Sequence, residues 1–186
     1  MPRSRSSYSD SSSVSKPAPK NKSKSQSKVA CTPCPVKARA LEENPNYPYK
    51  LVAYLSGQQV VPPVTNANRG VVTLWFARDF SHVNYTLWVE TSAEVTQAHL
   101  HLGLAGENGL AVAFLLNNGP NGTLSTPPAS GFEGQTCGTI KGADLINGLA
   151  GSTIAALYNA LKNQQLYADV HTTNAPAGEL RGQFFA

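Results

Sequence analysis

Alternation of apolar and polar side chains at every second position recurs along this chain, and it restricts the fold to one built on half-buried β-strands. The clearest run is Ser81 to Thr91, where Val83, Tyr85, Leu87 and Val89 share one face. Gly70 to Arg78 puts Val72, Leu74 and Phe76 on one side and Val71, Thr73 and Trp75 on the other. The short turn Asp79-Phe80-Ser81 between them reads as the bend of a hairpin. Lys50 to Leu55, Val95 to Leu102, Leu110 to Leu116, Gly134 to Lys141, Tyr167 to Thr172 and Glu179 to Phe185 carry further strand signals. One segment departs from period two. Ile154, Leu157, Tyr158 and Leu161 fall at i, i+3, i+4 and i+7, which predicts an amphipathic helix over about 152–164 with Ser152 as its N-cap. About seven to nine short strands and one helix predict an all-β, mainly antiparallel domain, a Greek-key β-sandwich or barrel.

Charge divides the chain. The first 28 residues hold Arg3, Arg5, Lys16, Lys20, Lys22, Lys24 and Lys28 against Asp10 alone, a net +6 in a chain whose total is +4. The basic character therefore belongs to a Ser/Lys-rich arm, and the rest of the chain is slightly acidic. Residues 1–30 have almost no large apolar side chain to offset the entropy of ordering, so they are expected to be disordered. Residues 31–48 carry four prolines and read as a linker, with a short helical turn at Lys37 to Glu43. The folded domain is expected over 49–186. Leu110 to Leu116 is the longest apolar run, far short of the roughly 18 residues of a membrane helix. The N-terminus has charge but no apolar segment behind it, so the expectation is a protein made in the cytoplasm without a secretory leader. On that expectation, Asn84-Tyr85-Thr86 and Asn121-Gly122-Thr123 are chance matches to a glycosylation site.

Cys31-Thr32-Pro33-Cys34 is a CxxC with no second pair nearby, too few ligands for zinc and without the strand and helix of a redox motif. Cys31 and Cys34 read instead as cross-linking residues, in a local disulfide or between subunits. The alternative is that they and Cys137 are unpaired thiols.

Two alternating segments hold three of the four histidines. In Ala98-His99-Leu100-His101-Leu102 the imidazoles share one face. In Tyr167-Ala168-Asp169-Val170-His171 the polar side chains share one face. Histidines at i and i+2 of a strand emerge about 7 Å apart and can ligate one metal ion. If the second segment lies beside the first, His171 joins His99 and His101 in a site suited to copper or zinc, with Asp169 orienting an imidazole from behind. The competing reading needs no metal. Glu179 and Arg181 fall on the face of Asp169 and His171, and Glu-Arg-Asp-His would form a hydrogen-bonded network. No nucleophile elbow, phosphate loop or HExxH helix is present, so no catalytic residue is assigned.

Several motifs in order make the chain similar to one family. Ala53-Tyr54-Leu55-Ser56-Gly57-Gln58-Gln59-Val60-Val61-Pro62-Pro63-Val64 resembles the opening of the CHRD domain, the repeat named after chordin. The likeness continues through Ala98-His99-Leu100-His101-Leu102-Gly103, Gly106-Glu107-Asn108-Gly109, Tyr167 to Thr172 and Pro176 to Gln183, about residues 50–186 in all. The resemblance implies a β-rich sandwich similar to immunoglobulin or copper/zinc superoxide dismutase architecture; in chordin such repeats belong to a secreted antagonist of growth factors, and single microbial copies have no settled activity. Dismutase chemistry of that type needs further histidines, and only His82 remains, on another strand. The combined expectation is a structural or binding module with protein neighbours or self-assembly, tethered by its arm in a particle or surface layer such as a spore coat or virion. The alternatives are a copper- or zinc-binding redox-type protein using the His-x-His strand, and a nucleic-acid-associated protein with the arm on phosphates.

Overall fold

A computed structural model of the protein describes residues 38–116 and 134–185. The Ser/Lys arm, Cys31, Cys34 and Asn121 lie outside them. After a short helix α1 (Ala38–Glu42), the strands are β1 (Tyr49–Ser56), β2 (Arg69–Phe76), β3 (His82–Glu90), β4 (Val95–Leu102), β5 (Ala111–Leu116) and β6 (Gly134–Lys141). Helix α2 (Ile154–Lys162) follows, then β7 (Leu166–Thr172) and β8 (Leu180–Gln183). Every strand pairing is antiparallel, and the order across the sheet is β5-β4-β7-β8-β1-β2-β3-β6. β1, β2 and β3 are a meander in perfect register. The chain then leaves β3 for β4, and β6 returns to β3, a Greek-key crossing. The eight strands form a nearly closed all-β barrel, as the alternation predicts. Among the described residues no helix is long and apolar enough to cross a membrane.

One set of alternating side chains fills the interior. Val72, Leu74 and Phe76 from β2 meet Val83, Leu87 and Val89 from β3, with Ala98 and Leu100 from β4 and Ala168 and Val170 from β7. The seam between the end strands β5 and β6 is bridged by Tyr85, whose buried hydroxyl donates to the Leu115 carbonyl at 2.7 Å. Burial pushes the Tyr85 phenol up to about 12, so it stays a donor over the whole physiological range. The ring needs Gly138 opposite it on β6, because a Cβ there would come within 2.6 Å of the Tyr85 oxygen.

Helix α2 lays Ile154, Leu157 and Leu161 on the core, the stripe its spacing predicts. Its N-cap is Thr153 and not Ser152: the Thr153 hydroxyl accepts from the Ala156 amide three residues on, and the helix is correspondingly shorter than 152–164. The Ser152 amide is instead bonded to the Leu149 carbonyl, inside the preceding turn. Asn84 is buried in β3 and accepts from Thr139, so its side chain is not available to a glycosyl transfer in the folded state. Cys137 in β6 is disulfide-bonded, which corrects the reading of three unpaired thiols.

Candidate functional site

β4 and β7 pair with His99 opposite Asp169, His101 opposite Tyr167 and Gln97 opposite His171. On an antiparallel pair, side chains directly opposite or diagonal on one face are within reach of each other. That register gathers the three imidazoles around one carboxylate. His99 Nδ1 lies 3.2 Å from Asp169 Oδ1, and His101 Nε2 and His171 Nε2 each lie 3.1 Å from Asp169 Oδ2. One potential ligand atom from each of the four residues lies within 4.8 Å of all the others. Asp169 thus stands among the imidazoles, whereas sequence reasoning put it behind one of them.

The polar face is not wet, contrary to what alternation alone suggests. His99 is 6 % exposed and Asp169 8 %. The Phe114 ring of β5 meets His99 edge-on at 5.1 Å, and Tyr167 stacks on His101 at 4.9 Å. The β4–β5 loop and the turn before β8 close over the rest. Gly109 is where the first of these approaches most closely: a Cβ there would stand 1.4 Å from the Leu102 carbonyl oxygen. Its own amide donates to the Tyr167 hydroxyl at 3.0 Å.

The two covering segments also fix the imidazoles. His101 Nδ1 is 2.8 Å from the Gly109 carbonyl, and His171 Nδ1 is 2.8 Å from the Pro176 carbonyl. A carbonyl oxygen only accepts, so each Nδ1 carries a hydrogen. In a neutral imidazole the Nε2 is then a bare lone pair. Both lone pairs face Asp169 Oδ2, itself an acceptor, and neither Nε2 makes a hydrogen bond of good geometry. Such a group of acceptors is stable only around positive charge, supplied by protons on the rings or by a cation between them.

The ionisation of the group follows from this crowding. Burial alone would raise the Asp169 carboxyl. The polar contacts with His101, His171 and His99, with the charge of His101, overcome it and hold the carboxyl well below its ordinary 3.8. Burial likewise pulls His171 down, but contact with Asp169, the charge of that carboxylate and the Pro176 carbonyl raise it above 6.5.

The other residues singled out from sequence go elsewhere. Arg181 lies opposite Asp169 in the β7–β8 register, yet its hydrogen bonds run to the Leu104 carbonyl, Asn108 and Gln183. Its guanidinium sits 3.6 Å from the Tyr167 ring centroid. Glu179 accepts from Asn68 and Thr91, a separate cluster at the other end of β8. The single Glu-Arg-Asp-His network is therefore divided in two, because loop residues out of reach of a period-two argument supply nearer partners. His82 is bonded by Tyr47 and Ser81 and takes no part. Sequence reasoning missed the Gly109 and Pro176 carbonyls. The signal that could have found them was the position of Gly109 and Pro176 in the loops that directly follow the two histidine-bearing strands, between β4 and β5 and between β7 and β8.

A Greek-key β domain carrying a buried three-histidine, one-aspartate cluster on its outer face is the class of protein these features define. The CHRD domain model matches residues 51–184, and the chain belongs to the CHRD family. No curated protein and no solved structure matches the chain. CHRD domains are in general non-catalytic modules of protein interaction.

Protein stripped of any cation should show the titration of this cluster in its stability. The raised His171 contributes stability that is full below about 6.5, its ordinary value, and lost as pH climbs through the folded value. The lowered Asp169 contributes stability present above 3.8 and lost only as pH falls through its folded value. Thermal melts of chelator-treated protein are expected to fall in midpoint between pH 6 and pH 9, and Asp169→Asn to flatten that fall. A midpoint that rises over this range in the unmutated chain contradicts the assignment.

Proposed function

We propose that this CHRD domain is a non-enzymatic binding module with one transition-metal ion, zinc or copper, built into its β4–β7 face. The observation that carries the reading is the pair of Nδ1–H bonds to backbone carbonyls, which leaves two Nε2 lone pairs aimed at one carboxylate. Metal-bound histidines are characteristically held in this way, one nitrogen on the metal and the other donating to a fixed acceptor. His99, His101, His171 and Asp169 supply three nitrogens and an oxygen, a donor set suited to zinc or copper. Four protein donors fill a tetrahedral sphere, the closed arrangement of a structural site, whereas a catalytic zinc keeps one position for water. This favours a module whose fold and loops the ion secures over a redox or dismutase centre.

In the metal-free protein, protons stand where the ion would, so metal uptake releases protons and weakens as pH falls. Purified, reloaded protein is expected to hold one equivalent of zinc or copper per chain. His101→Ala and His171→Ala should each weaken binding at least tenfold, while His82→Ala leaves it unchanged. Less than a tenth of an equivalent after reloading, with the fold intact, overturns the reading.

The placing of the domain rests on a second observation, the segregation of charge. A net +6 in the first 28 residues against a slightly acidic remainder supports an arm that tethers the domain to an anionic neighbour in a particle or surface layer, such as a spore coat or virion, or to nucleic acid. Fractionation of the producing cells is expected to find the protein with a particle or coat, released by high salt. Its recovery wholly in the soluble fraction at physiological salt contradicts the tether.

A further inference from the structure

A second feature of the covered face is independent of the metal reading. The loop after β1 and the tip of the β4–β5 loop border a half-open cavity of about 340 Å³ against β8. That volume lies at the low end of the roughly 300–1,000 Å³ typical of small-molecule sites. Val60, Val61, Pro63 and Ala105 give it an apolar side, Gln58, Gln59 and Gln183 a polar one, and Arg181 supplies the charge. The two loops are tied to each other by Asn108 Nδ2 donating to the Val61 carbonyl at 2.8 Å, so the cavity is formed before any ligand arrives.

Arg181 is the reason to expect a ligand there. It is 3 % exposed, and among the described residues it has no ion pair. Its acceptors are all neutral: the Leu104 carbonyl at 2.8 Å, Asn108 at 3.4 Å and Gln183 at 3.5 Å, the last two at the limit of hydrogen bonding. Of its five donor hydrogens, Nε–H and one on Nη1 have no acceptor among the described residues. Asp169, the register neighbour, turns its carboxylate to the imidazoles and makes no hydrogen bond with Arg181. The contact with Tyr167 and the charge of Asp169 across the register offset part of the cost of a buried cation, and among the described residues no carboxylate lies within ion-pair distance of it. Gln183 spends its amide on the Gly103 and Gln164 carbonyls, which leaves Arg181 as the strong donor of the cavity.

We propose that this cavity binds a small aliphatic carboxylic acid, its carboxylate on the Arg181 guanidinium and its apolar body against Val60, Val61 and Pro63. A monoanion matches the single positive charge and accepts from the unspent Nε–H, whereas a phosphate dianion would leave a charge uncompensated.

The test is titration of the full chain with 3-methylbutanoate, followed by the amide shifts of Val61, Ala105 and Gly106 and by the Arg181 Nε–H signal. Saturable shifts at these positions are expected, with 3-methylbutanamide and inorganic phosphate at least tenfold weaker. Ala105→Trp fills the cavity from its exposed rim with Arg181 intact, and should abolish the response while the remaining spectrum is unchanged. Absence of saturation by the acid, equal binding of the amide, or a response that survives Ala105→Trp overturns the proposal and leaves Arg181 as a clamp on the Leu104 loop.

Discussion

The bonds from His101 and His171 to the Gly109 and Pro176 carbonyls fix the direction of two imidazole lone pairs, and the character of the covered face follows from that. Were either ring free to turn, its N–H could point at Asp169 and the cluster would be an ordinary set of neutral hydrogen bonds. With both Nδ1 positions committed, the three residues present acceptors to one another in a site nearly shut off from water. Positive charge must occupy the space between them, and protons and metal ions compete for it.

The barrel is arranged to deliver these groups. The Greek-key crossing puts β4 beside β7 although some sixty residues separate them in sequence, and the register sets His99 against Asp169. The inner faces of the same strands place Ala98, Leu100, Ala168 and Val170 in the core, so the outer face inherits the rigidity of the packed interior. The segments that cover the cluster are also the ones whose carbonyls orient it. Loop position and ring orientation are thus one constraint, and a substitution at Gly109 would disturb both.

Most of the fold was legible in the sequence because period two survives wherever one face is buried. Each strand overlaps a segment with strand signals, β1, β2 and β7 starting a residue earlier and β5 lying in a continuous apolar run, and the α2 stripe of Ile154, Leu157 and Leu161 is legible at period 3.6. The co-location of His99, His101 and His171 required only that two segments pair. What could not be read is whatever depends on register and loops. Asp169 moves from behind the imidazoles to among them because cross-strand pairing, not local pattern, sets its neighbours. Glu179 leaves the cluster because Asn68 and Thr91 reach it first. The expected wet face is dry because Phe114, Gly109 and the turn at Pro176 fold over it, and no strand period announces a covering loop.

The tautomers of His101 and His171 test the central claim most directly. Long-range proton–nitrogen correlation spectra of the imidazoles, recorded at pH 8 with and without one equivalent of zinc, report which ring nitrogen carries the proton. The expected result is Nδ1–H on both rings in both samples, with the Nε2 resonances alone shifting when zinc is added. Protonated Nε2 and bare Nδ1 on either ring, or spectra indifferent to the metal, would contradict it.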